Sequence, residues 1–120
     1  MFLFTGPDLP ENMFGMCVTK VGNKVYVIGG RKEPGDNGAS YTRLDTVYIY
    51  DFTNFDQTGQ PTGPEIGPSL NLGRDNLFGC GTLESGAILV AGGEGATGGR
   101  TNRVEMLLPG ADSWVEGKNF

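Results

Sequence analysis

An all-β chain assembled from repeated four-stranded antiparallel units is what this sequence predicts, on three observations. Glycine supplies 21 of 120 residues, more than twice its usual share of roughly 7%. These glycines flank compact apolar runs, Val25–Ile28 and Ile88–Ala91, and 38% of all residues are apolar. Short strands closed by tight turns fit that arrangement, because glycine alone enters the φ > 0 region freely. The third observation is self-similarity. Val25-Tyr26-Val27-Ile28-Gly29-Gly30 recurs as Ile88-Leu89-Val90-Ala91-Gly92-Gly93, 63 residues later, and a fixed offset of this kind marks a repeat architecture.

The elements follow in order. Phe2–Thr5, ending at Gly6-Pro7, reads as the outermost strand of a preceding unit. Phe14-Gly15-Met16-Cys17-Val18-Thr19 matches Phe78-Gly79-Cys80-Gly81-Thr82-Leu83, giving first strands near 15–20 and 78–83. Gly22-Asn23 and Ser85-Gly86 then supply hairpin turns. Second strands near 24–29 and 87–92 run into the Gly-Gly pairs. Val47-Tyr48-Ile49-Tyr50-Asp51 corresponds to Val104-Glu105-Met106-Leu107-Leu108, so third strands fall near 46–51 and 103–107. Fourth strands are expected near 55–58 and 113–116, the latter with the only tryptophan, Trp114. A looser set joins Gly6-Pro7-Asp8-Leu9, Gly67-Pro68-Ser69-Leu70 and Gly117-Lys118-Asn119-Phe120. The chain therefore divides into an outer strand at 1–10, one unit at 11–74 and a second at 75–120.

A strand running into Gly-Gly, then a Tyr-Asp strand, a Trp and a Gly-Pro-x-Leu exit resembles the kelch motif. In that family each motif is one four-stranded blade of a β-propeller, with a period of roughly 50 residues. The second unit keeps the family order through Gly92-Gly93, Val104 to Leu107, Pro109 and Trp114, with Leu107 where the family has Tyr. The first departs from it: its Gly-Gly to Tyr50 interval is longer, and Phe55 or Gln57 falls near the Trp position. The resemblance implies a partial kelch-type propeller of about two blades. It gives Gly29, Gly30, Gly92 and Gly93 a structural role, at strand ends where a Cβ would crowd neighbouring backbone. Tyr50 and Trp114 are expected to fill the wedge between blades. Closed propellers need roughly 4–8 blades, so other blades or copies of the chain are expected to cover the apolar faces left over.

Composition narrows the function. A net charge of −5 and a pI near 4.5 repel phosphate backbones, so no nucleic-acid partner is expected. The absence of histidine removes the commonest general base and most zinc or copper sites. No metal or cofactor is expected: Asp45, Asp51, Asp56 and Glu65 lack calcium-loop spacing, and Gly92–Arg100 lacks the Gly-Lys-Ser/Thr of a phosphate loop. Met1-Phe2-Leu3-Phe4 fits neither a secretory signal nor a membrane span. No membrane partner is expected, and the compartment stays open. Cys17 and Cys80 are too few for a disulfide framework and are expected as buried free thiols. Neighbouring first strands are expected to hold them farther apart than the roughly 7 Å a bridge tolerates between Cα atoms.

A four-stranded meander alternates its connections between two faces. The long ones, 31–44, 59–75 and 94–102, share a face and carry Arg31, Lys32, Arg43, Arg74 and Arg100, with Arg103 just beyond the last. Guanidinium forks suit carboxylates bidentately, so Arg31, Arg43, Arg74 and Arg100 are candidate residues for an acidic protein partner. The competing reading is solvated loop charge among Glu33, Asp36 and Glu94. Arg74 matches an Arg that often precedes the first strand of kelch repeats, where its other role is bonding backbone carbonyls between blades. The resemblance thus implies a protein-binding or scaffold module, not an enzyme. The alternative is a fragment of a kelch-like propeller enzyme, galactose-oxidase-like or sugar-acting, with its catalytic residues outside this chain.

Overall fold

The computed structural model describes residues 8–32, 42–95 and 99–117, without the side chains of residues 77 and 78. The expected strand Phe2–Thr5 lies outside the described residues. The strands are β1 (Met13–Phe14), β2 (Cys17–Val21), β3 (Lys24–Ile28), β4 (Arg31–Lys32), β5 (Thr42–Arg43), β6 (Val47–Phe55), β7 (Pro61–Ile66), β8 (Arg74–Thr82), β9 (Ile88–Gly95), β10 (Val104–Leu107) and β11 (Val115–Glu116). Two four-stranded antiparallel meanders result, β2-β3-β6-β7 and β8-β9-β10-β11, here blade 1 and blade 2. Within the expected long loop, β4 and β5 form a hairpin that joins β1 in a small third sheet, ordered β1-β4-β5. The described residues contain no α-helix.

The fourth strand of blade 1 corrects the sequence expectation. It lies at Pro61–Ile66 rather than 55–58. Asp56 accounts for the difference: its carboxylate accepts hydrogen bonds from the Thr58 and Gln60 amides and the Thr58 hydroxyl. Such a side chain offers the backbone a turn in place of a ladder, so 56–60 reverses the chain. Pro61 and Pro64 then sit on an edge strand, where a missing N–H leaves no ladder bond unmade. The connection to blade 2 shortens to 67–73 accordingly.

The two blades share one register. In blade 1, Ile28 faces Val47, Val27 faces Tyr48 and Tyr26 faces Ile49. In blade 2, Ala91 faces Val104, Val90 faces Glu105 and Leu89 faces Met106. Successive residues alternate sides of a strand, so each blade has two faces. One face of blade 1, with Ile28, Val47 and Ile49, packs against the opposite face of blade 2, with Ile88, Val90 and Leu107. Leu70 and Trp114 complete this buried seam. The Trp114 indole N–H donates to the Pro68 carbonyl at 2.8 Å, which satisfies its one polar group in an otherwise apolar setting.

Tyr50 lies elsewhere. With Val27 and Tyr48 it lines the far face of blade 1, under Leu9, Met13 and Met16. Its hydroxyl donates to the Asp8 carbonyl at 3.0 Å, the counterpart of the Trp114–Pro68 bond in the matched Gly-Pro-x-Leu segment. Burial raises the pKa of this phenol above its usual value. Replacing Trp114 with alanine is expected to cost about 3–5 kcal/mol, the usual loss on emptying a large core aromatic. Urea unfolding of the variant measures it, and an unchanged midpoint would remove Trp114 from the seam.

The glycine pairs divide in their reasons. At Gly30 (φ +109°) a Cβ would stand 3.0 Å from the Phe14 carbonyl oxygen, so crowding and conformation both demand glycine. At Gly92 (φ +76°) the nearest atom would be 3.8 Å away, and only the backbone conformation matters. Gly92 and Gly93 lie inside β9 rather than at its end.

Cys17 and Cys80 form a disulfide with a Cα separation of 6.1 Å, which overturns the expected free thiols. Neighbouring first strands come closer than expected, and both cysteines face the space between them. Cys17 stands opposite Ile28, on the blade 1 face turned to the seam. Cys80 stands opposite Val90, on the blade 2 face turned to the same seam. First strands of adjacent blades also converge: the Thr19 and Thr82 hydroxyls hydrogen-bond at 2.8 Å, and Thr82 donates to the Lys20 carbonyl.

Candidate functional site

The described ends of the connection between β3 and β6 meet the 67–73 connection and the start of β8, and backbone hydrogen bonds tie them together. The Gly30 amide donates to the Arg74 carbonyl at 2.8 Å, Arg74 to the Leu44 carbonyl at 3.0 Å, and Leu70 to the Asp45 carbonyl at 2.8 Å. Blade 1's long connection is thereby fixed to the opening of blade 2.

Two candidate arginines sit on this seam. Arg31 and Arg43 are directly opposite in the β4–β5 hairpin, a like-charge pair that would be destabilising alone. Blade 2 supplies the counter-charge. Arg43 Nε donates to Asp75 Oδ1 at 2.9 Å and Nη2 to Glu94 Oε2 at 2.7 Å. Arg31 pairs with Asp75 through Nε and reaches Glu94 Oε2 through Nη2 at 3.3 Å. The Asp75 side chain is fully buried. Glu94 foremost, then Asp75, hold the Arg43 guanidinium above its ordinary pKa. The Arg31 guanidinium also lies over the Phe14 ring, 5.6 Å from its centroid, within cation–π range. These arginines are neither solvated loop charge nor forks aimed outward. They bind carboxylates, and the carboxylates are the chain's own.

Arg74 is corrected more strongly as a candidate for partner binding, since its side chain is 0% exposed. Nη2 donates to Glu105 Oε2 at 2.6 Å, while Nη1 donates to the Gly92 and Arg103 carbonyls at 3.0 and 2.9 Å. Glu105, equally buried, accepts from the Asn71 and Leu72 amides as well. A buried ion pair is tolerable when its remaining hydrogen-bonding capacity is filled in this way. Arg74 bonds backbone carbonyls, as its other reading had it, but within its own blade rather than between blades.

Arg100 alone among the four candidates is exposed. It bridges Glu94 through backbone and rims a recess of about 150 Å³ with Asn76, Gly93, Glu94 and Thr101. Asp51 holds a local turn: its carboxylate accepts from the Thr53 hydroxyl and amide and from Asn54, which lowers its pKa.

Asp75, Glu94 and Glu105 were missed as the partners of these arginines. For Glu105 the signal was present, because alternation in Val104-Glu105-Met106-Leu107 puts it on the side of Leu107, inside the seam. A charge there requires a buried cation.

The family model for the kelch motif matches residues 13–57, a span from β1 through β6 into the turn after it. A search of curated proteins gives no match. Residues 13–57 thus match the kelch motif, and the strand order and register of that unit recur in a second meander of an all-β fold.

Proposed function

We propose that this chain is a protein-binding module that presents its partner site on the face that carries residues 42–46, 67–73 and 99–103. One observation carries the reading: the bases of these connections are braced by the Arg31–Asp75–Arg43–Glu94 cluster and its backbone ties, while Asp45, Arg100 and Asn102 on the same face remain exposed. Loop bases held in this way suit recognition, because their part of the surface needs little ordering on binding. The kelch motif supports the same class of role. Two of the four arginines thus act as braces for the binding face.

Photo-crosslinking tests this in the cells that make the protein. A photoreactive residue at Asp45 or Asn102 should yield one discrete protein adduct, and the same residue at Asn23 or Glu84, in the opposite-face turns, should not. Adducts from both faces alike, or from the turns alone, would overturn the proposal.

A further inference from the structure

The shared register assigns every residue of blade 1's seam face a counterpart in blade 2. Ile28, Val47 and Ile49 correspond to Ala91, Val104 and Met106, and Tyr26 to Leu89. In blade 1 the face is closed by its neighbour, and Ile28, Val47 and Ile49 are buried. In blade 2 the same positions are apolar but only half-buried.

The correspondence extends to the rim. Arg31 opposite Arg43 in blade 1 becomes Glu94 opposite Arg100 in blade 2. Arg43 reaches across its seam to Asp75, near the start of the next blade's first strand. Arg100 stands at the same place beside the half-buried face. Its neighbour Glu94 is turned back toward the first seam by Arg31 and Arg43. Among the described residues this leaves Arg100 as the cation at the outer rim.

We propose that this face docks a further blade whose first strand opens on a carboxylate, and that Arg100 pairs with that carboxylate as Arg43 pairs with Asp75. A second copy of the chain fits less well. Its receiving face, with Val27, Tyr48 and Tyr50, is already buried under Leu9, Met13 and Met16. At the position of Asp75 it offers Phe14, since Phe14 faces Arg31 as Asp75 faces Glu94.

The test extends the full chain beyond Phe120 with a second copy of residues 71–117, the blade that bears Asp75. The extended chain should be a monomer by sedimentation and unfold in one transition above that of the parent. Arg100→Glu should lower its Tm by several degrees and leave the parent's Tm unchanged. Placing lysine at the added copy's aspartate should restore the loss. Equal effects of Arg100→Glu in both chains, no rescue by the charge swap, or separate melting of the added blade would overturn the proposal. So would self-association of the parent that Met106→Glu abolishes, because the occupant would then be a second copy.

Discussion

Glu105→Ala costs about 3–5 kcal/mol of folding stability, the penalty for removing one partner of a buried ion pair. The variant leaves the Arg74 guanidinium, with 0% of its side chain exposed, facing a cavity, and strips the Asn71 and Leu72 amides of their acceptor. Buried pairs can often be replaced by apolar residues of similar volume at little cost. Here that exchange is expected to fail. Arg74→Met with Glu105→Leu would still orphan two amides and the Gly92 carbonyl, and a buried polar group left without a partner costs about 1–3 kcal/mol. Urea unfolding of both variants measures this. A double variant as stable as the parent would show that the network contributes nothing beyond its charges.

Removing the Cys17–Cys80 bridge is the second large effect. The two cysteines are 63 residues apart in sequence, and closing a loop of that length restricts the unfolded chain by about 4 kcal/mol in the chain-entropy model. Cys17→Ser combined with Cys80→Ser should show that loss in chemical denaturation. The parent measured in reductant should behave as the double variant does. Equal stability of oxidised and reduced protein would contradict the bridge as a constraint on folding.

Much of the fold was legible because its signals are local. Gly22-Asn23 and Ser85-Gly86 fix two hairpins, and period-2 apolar patterning fixes the strands around them. The fourth strand of blade 1 was misplaced because Asp56 turns the chain through its side chain, a signal weaker than glycine or proline. Of the candidate arginines, the grouping was legible and the pairing was not. Arg31, Arg43 and Arg100 share one face by meander parity, and guanidinium groups do pair with carboxylates there. Which carboxylates they meet depends on the packing of one blade on another, and sequence distance hides it: Asp75 lies 44 residues from Arg31. The disulfide was hidden for a related reason. Cys17 and Cys80 lie on separate first strands, 63 residues apart in sequence, and only the packing of one blade's face on the other brings them together.

Everything above the single blade rests on one face of blade 1 meeting the opposite face of blade 2 in this register. Peptide mapping of the unreduced protein by mass spectrometry tests that most directly. The account predicts one linked species joining the Cys17 and Cys80 peptides, released by reductant. Both cysteines recovered as free thiols from protein purified without reductant would contradict it.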